Sequence, residues 1–420
     1  MTKRLHRLAA LPILVGPGLL VAATGVGAGD LLTASLAGSR HGLTLLWAAW
    51  VGALLKWFLN EGVARWQMAT GTTLLEGWVE RLGDVLRWVF GAYLVVWTFF
   101  TGGALISACG VAGAGLFPIG DPATAKVVWG IVHSAAGAVL VWRGGFRAFE
   151  RLMAACVAVM VATVLLTAIL LRPDWGAFAT ALVTPRMPQQ GGAYTLGVLG
   201  GVGGTVTLLS YGYWIREKGR AGAAGIRACR IDLAAGYALT GFFGVAMILI
   251  GSRVTLERGP TAALELAGQL ESALGAAGRW IFLVGFWGAV FSSLVGVWQS
   301  VPYLFADFVH LSRRRASGEA VPTDLAATRA YRVYLALIAT VPVPLLWISL
   351  ERAQLAYAVL GAFFMPLLAA TLLVMNNRAA WVGAARRNGW VTNVALGATL
   401  AFFAYAGARE AAAALGRLLR

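Results

Sequence analysis

The spacing of charge constrains this chain more than any other feature. Residues 88–120, 152–171, 233–252 and 281–306 carry no charged side chain. About 20 apolar residues in helical form suffice to cross the hydrocarbon core of a bilayer. Reading between charge clusters gives eleven candidate spans, at roughly 11–38, 43–70, 85–116, 124–142, 149–171, 193–215, 232–251, 279–308, 331–350, 354–376 and 388–408. In lipid every backbone polar group has to be satisfied within its own segment, so the expected class is an all-α integral membrane protein. Only 12% of the residues are charged, about half the share of a soluble domain. That excludes an ordinary cytosolic enzyme, a disordered chain and a nucleic-acid binder, even with a net charge of +16. Cys109, Cys156 and Cys229 are scattered, with no CxxC pattern, and support neither a zinc site nor a disulfide framework. No cofactor is expected.

Basic residues fix the expected orientation. With the N-terminus in the cytoplasm, the inner segments collect most of the 34 lysines and arginines, including Lys3, Arg4, Arg7, Arg143, Arg147, Arg216, Arg220, Arg230, Arg314 and Arg386. This is the distribution of a multi-pass protein of the cytoplasmic membrane. Lys3, Arg4 and Arg7 precede an apolar run that continues to Gly38, too long for the roughly 7–15-residue core of a signal peptide. No period of 20–50 residues repeats, which excludes a solenoid. The two longer polar linkers are 252–278, which is amphipathic, and 309–330, whose Arg313-Arg314-Arg315 run reads as an inner-leaflet anchor.

Two spans are punctuated by glycine as no others are. The first contains Gly25-Val26-Gly27-Ala28-Gly29-Asp30; the sixth contains Gly197, Gly200-Gly201 and Gly203-Gly204, followed by Thr205, Thr207 and Ser210. A single such cluster would be read as a close helix–helix contact. Paired interruptions at corresponding positions of two five-span halves instead point to the midplane site of an inverted-repeat transporter. Asp30 directly follows the first interruption, and an intramembrane carboxylate is a functional-site candidate by default. The second span carries Lys56, Asn60, Glu61 and Arg65. Glu61 and Arg65 lie four residues apart, on one helix face, and read as a structural pair near the cytoplasmic end. Lys56 has no acid at that spacing and can either face Asp30 or extend to the interface. Glu150 reads as an interfacial ion pair. The 17 tryptophans read as interfacial anchors or lipid-facing bulk, none of them in the site.

Several stretches in order along the chain resemble the NRAMP divalent-metal transporters. They are Gly16-Pro17-Gly18 through Gly29-Asp30 to Gly38, Leu45-Leu46-Trp47, Thr70-Gly71, Gly145 to Glu150, Arg172-Pro173-Asp174-Trp175 and Pro185 to Pro188. Leu196-Gly197 to Gly203, Ser292-Ser293, and Pro366-Leu367 through Asn376-Asn377-Arg378 complete the set. The resemblance implies a LeuT-like fold of two inverted five-helix repeats, over about 11–171 and 193–376, plus an extra helix at about 388–408, in one transporter domain. It also implies alternating access, a divalent cation as substrate and coupling to protons.

The family's motif residues are altered here. Its first-helix Asp-Pro-Gly-Asn aligns with Gly27-Ala28-Gly29-Asp30, and its sixth-helix Met-Pro-His with Thr207-Leu208-Leu209. The polar position of the tenth helix falls on Phe364, and the acidic pair of the third near Gly102 and Leu105 or Ile106. The four histidines, His6, His41, His133 and His310, lie near loops or in the fourth span. A thioether ligand favours softer transition ions. Without it, Asp30, freed backbone carbonyls, Thr205, Thr207 and Ser210 are hard oxygen donors, with Asp30 and Thr207 the expected metal ligands. Such a set suits magnesium retaining several waters. The same atoms also fit an organic solute, because interrupted helices hold carboxylates while an acid pairs with an amine. A non-transporting receptor with the same fold is the third reading, since fold alone does not fix function.

Overall fold

The computed structural model describes residues 16–188, 191–201, 203–254 and 262–418, and among them every regular element is helical. The chain enters through α1 (Pro17–Gly25) and α2 (Ala28–His41), followed by α3 (Leu46–Thr70), α4 (Leu74–Arg81), α5 (Asp84–Leu116) and α6 (Pro122–Leu170). Next come α7 (Trp175–Val183), α8 (Gly192–Gly201), α9 (Ser210–Glu217), α10 (Gly222–Gly251), α11 (Ala262–Leu274) and α12 (Ala276–Ser317). The chain closes with α13 (Arg329–Thr340), α14 (Leu350–Met375), α15 (Ala379–Val382) and α16 (Trp390–Leu418). Among the described residues, six helical stretches are long and apolar enough to cross a membrane. The first and sixth expected spans are each divided into two half-helices.

Local sequence explains most helix ends. Thr73, Asp121, Asp174, Thr328 and Ser349 cap α4, α6, α7, α13 and α14 through their side-chain oxygens, satisfying amides that have no partner within the helix. Gly71 ends α3 in the left-handed region at φ 77°, where a side chain would be strained.

The fourth and fifth expected spans are the two helical segments of α6, which breaks where Gly145 adopts φ 63° and ψ 174°. One glycine is enough to redirect the chain without a polar linker. The arginine run at 313–315, expected in a polar linker, is helical instead. It sits in the last turns of α12, where Arg314 pairs with Glu76 and Glu80 and Arg315 with Asp84. These carboxylates lie on α4 and at the start of α5, so two of the three charges are compensated within the protein.

Packing brings the two halves together around α10. A methyl at Gly38 would collide with the Ile248 carbonyl, and one at Gly251 with the Ser35 carbonyl, so α2 and α10 approach backbone to backbone. Gly18 and Gly236 do the same for α1 and α10. Without a hydrophobic driving force between helices in lipid, such close small-residue contacts supply the association. Trp142, Trp175, Trp347 and Trp390 are exposed, as lipid-facing or interfacial rings would be, but Trp66, Trp78, Trp97, Trp214 and Trp298 are fully buried.

Candidate transport site at the two helix breaks

The first break follows directly from glycine. α1 stops at Gly25, Val26 is extended at φ −88° and ψ 100°, and the helix resumes at Ala28. Carbonyls in the last turn of α1 are then open to outside donors. Two of them, on Ala23 and Thr24, accept hydrogen bonds from Ser292 Oγ at 3.0 Å and Ser293 Oγ at 2.8 Å on α12. Asp30 is the third residue of α2, and its side chain, like those of Ala28 and Gly29, lies outside the described residues.

The second break is wider. Gly203 and Gly204 take φ values of 91° and 80° after α8, and Thr205 leads into a 3-10 turn over Val206–Leu209 before α9 begins at Ser210. Non-glycine residues pay about 1–2 kcal/mol for such left-handed geometry. The open C-terminal end of α8 receives Lys56 of α3, whose Nζ donates to the Gly200 carbonyl at 2.7 Å. Lys56 is 1% exposed. It therefore does not extend to the interface. A cation at the negative end of a helix is also electrostatically favourable.

The breaks touch one another. A methyl at Gly25 would lie 2.6 Å from the Gly203 carbonyl carbon, and one at Gly204 would lie 3.4 Å from Gly25 Cα. Only backbone fits between them. Thr205 Oγ1 accepts from Trp97 Nε1 of α5 at 3.1 Å and packs on Gly361 of α14. Thr207 and Ser210 are buried, and Ser210 Oγ has no hydrogen-bond partner among the described residues. Tyr237 of α10 flanks Gly203 and accepts from Asn60 Nδ2 at 2.9 Å.

Helix α5 presents no acid here. Leu105 lies beside Gly27, while Gly102 faces Pro342. Phe364, on α14, is fully buried and stacks on Tyr93. Among the described residues no three His, Cys, Asp or Glu side chains are grouped to hold a metal ion. What the breaks offer is hydroxyl and carbonyl oxygen, with one ammonium beside them.

Glu61 and Arg65 belong to a different region. Their carboxylate and guanidinium pair at 2.6 Å, Arg230 Nε joins at 2.8 Å, and Arg65 also donates to the Arg387 carbonyl at 3.0 Å. At the same arginine-rich end, Asp232 Oδ2 accepts from the Gly18 amide at 2.7 Å and from Arg220 at 2.9 Å, tying the start of α1 to α10. Glu150 pairs with Lys218 at 2.5 Å.

A family model described as natural resistance-associated macrophage protein-like (Nramp) matches residues 18–409. The chain belongs to the Nramp family. It is similar to the divalent metal cation transporter MntH of Granulibacter bethesdensis, at 27% identity over 71% of this chain and 69% of that one. The MntH of Acidiphilium cryptum is also 27% identical, over 83% and 85% of the two chains. The fold is similar to that of an Eremococcus coleocola manganese transporter (20% identity, TM-score 0.75, 94% of this chain and 85% of that one). It is also similar to a Na+-coupled sialic acid symporter (13% identity, TM-score 0.60, 93% and 88%). This Nramp chain thus has the LeuT-like architecture expected from its sequence.

Trp97, Tyr237, Ser292 and Ser293 contact or cap the breaks, yet none was singled out as a site residue from the sequence. The serine pair had a signal, two adjacent hydroxyls in an otherwise apolar span. Trp97 and Tyr237 had none, because which face of a uniformly apolar helix points inward is set only by packing.

Proposed function

We propose that this protein is a secondary active transporter that moves a divalent metal cation across the cytoplasmic membrane by alternating access. The N-terminus and the arginine-rich end face the cytoplasm in this reading, which the excess of basic residues there supports. The repeats span about 11–171 and 193–376, with the helix at about 388–408 added to them. Membership of the Nramp family and the names of the MntH relatives support the substrate class. The observation that carries the site is the backbone contact between Gly25 and Gly203, which places both interruptions at one point.

Asp30 supplies the negative charge, and Thr207, Ser210 and carbonyls at the end of α1 and around Gly203 and Gly204 supply neutral oxygen. Gly27, by contrast, already accepts from the Leu31 amide, and Ala28 and Gly29 open α2. Thr205 is positioned by Trp97. Leucines at 208 and 209 offer no soft ligand, so the cation is a hard one such as magnesium, held with part of its water. Calorimetric titration of the purified protein with Mg2+ and Mn2+, with matching uptake into proteoliposomes, tests this. Comparable binding of the two ions is expected; strong preference for Mn2+ would contradict the hard-oxygen site.

One observation favours a second reading. Lys56 brings an ammonium to the second break, and a fixed cation there suits a solute carrying a carboxylate better than a free metal ion. An amino-acid panel in the same titration distinguishes the two. Binding of neither class would favour the receptor reading.

A further inference from the structure

The arginine-rich end holds two buried aspartates in contrasting surroundings. Asp232 is compensated by the Arg220 guanidinium and a backbone amide. Asp307, on α12, is 2% exposed and forms no ion pair among the described residues. Its carboxylate accepts only two hydroxyls, Tyr213 at 2.6 Å and Thr73 at 3.0 Å. The nearest charged groups, Arg216 and Glu76, act on it through space without forming an ion pair with it. Arg216 of α9 lies 3.9 Å from Glu76 of α4, and Arg314, two turns along α12, pairs with the same Glu76 at 3.2 Å. On its own helix the neighbouring titratable groups are His310, one turn on, and Tyr303, one turn back, which stacks on Tyr213 and donates to Glu217 of α9 at 3.0 Å. Burying a carboxylate that accepts only hydroxyls and has no directly paired cation is costly unless the charge is removed.

We propose that Asp307 is a proton-binding site whose occupancy is linked to the position of α9. A proton from water at the arginine-rich end bonds to a carboxylate oxygen of Asp307, giving a neutral acid. The reverse step returns it to the same water, and no other bond is made or broken. Tyr213 lies on α9, the half-helix that follows the second break, and Thr73 lies at the junction of α3 and α4. In the charged form, Asp307 accepts both hydroxyls and holds these elements to α12. In the neutral form it is a weaker acceptor, and the tie loosens. This site gives the chain a proton carrier at a place unrelated to α5, which has no acid at 102, 105 or 106. The link to transport rests on the alternating-access reading; the proton site itself does not.

Infrared spectroscopy of the full chain in nanodiscs tests the proton site without any substrate. A carbonyl-stretch band of a protonated carboxylic acid should grow as pH is lowered in the wild type and be missing in Asp307→Asn. Persistence of the whole band in that variant would overturn the proposal. Tyr213→Phe retains the carboxyl and removes one donor to its charged form, so the band's midpoint should rise by about 1–2 pH units; an unchanged midpoint would also overturn it. In proteoliposomes loaded for Mg2+ or Mn2+ uptake, Asp307→Asn should flatten the pH profile of the rate, and a retained wild-type profile would refute the link to transport. If wild-type vesicles take up neither ion, the cation reading fails while the infrared band still decides the proton site.

Discussion

At the breaks and at the arginine-rich end, the chain places polar groups inside the membrane protein by opposite means. Around Gly25 and Gly203 the described groups are backbone carbonyls, threonine and serine hydroxyls and the Lys56 ammonium. Around Glu61, Glu76 and Asp232 they are carboxylates matched to guanidinium groups. The first set is held by helix geometry, so its oxygens are available to exchange between protein partners and a ligand. The second set is held by charge and joins elements that are distant in sequence. Removing one member of a buried pair therefore damages the fold, whereas removing a group at the breaks damages passage.

The steepest loss should come from Glu61→Gln. It leaves Arg65 and Arg230 without their shared carboxylate, and removing one partner of a buried pair costs about 3–5 kcal/mol. The expected readout is a collapse in the yield of monodisperse protein. Normal yield with altered substrate preference would move Glu61 from the structural region into the site.

Gly203→Ala should be milder for folding and severe for transport. The backbone at φ 91° disfavours a side chain by about 1–2 kcal/mol, and the methyl would meet Tyr237 at 3.1 Å. We expect folded protein by size-exclusion chromatography with uptake reduced at least tenfold. Wild-type uptake would show that the second break is not on the pathway.

Lys56→Met sharpens the choice of substrate. If a divalent cation binds beside the ammonium, removing that charge should tighten Mg2+ binding roughly tenfold, equivalent to about 1.4 kcal/mol of relieved repulsion. Calorimetry reads this directly. Unchanged affinity would place the ion away from Lys56, and loss of amino-acid binding would favour the organic solute.

The smallest effect should come from Trp97→Phe, which keeps the ring and removes the donor to Thr205. One hydrogen bond contributes about 1 kcal/mol, so a thermal-shift assay should show a fall of a few degrees at most. A total loss of uptake would make Trp97 part of the substrate path.

How much of this was readable in advance depends on the residue type that carried each feature. Glycine interruptions at 25–29 and 200–204 announced both breaks because a helix without side chains at those positions has little to hold it together there. The Glu61–Arg65 pair was readable because both lie on one helix at a four-residue spacing. The break at Gly145 was readable as a gap between the fourth and fifth spans, flanked by Arg143 and Arg147, though not that a single glycine makes the turn. Arg314, Arg315 and Asp307 were beyond reach for a different reason: Glu76, Asp84 and Thr73, their partners on or beside α4 and α5, lie more than 200 residues away in sequence. The other partner of Asp307, Tyr213 on α9, is 94 residues away and still invisible to any local pattern.

The central claim is that the two touching breaks form the transport site with Asp30 as its charge. Uptake of Mg2+ and Mn2+ by Asp30→Ala in proteoliposomes tests it most directly, alongside a check that the variant remains monodisperse. The account predicts folded protein with uptake at the level of empty vesicles. Folded protein with wild-type uptake would contradict it.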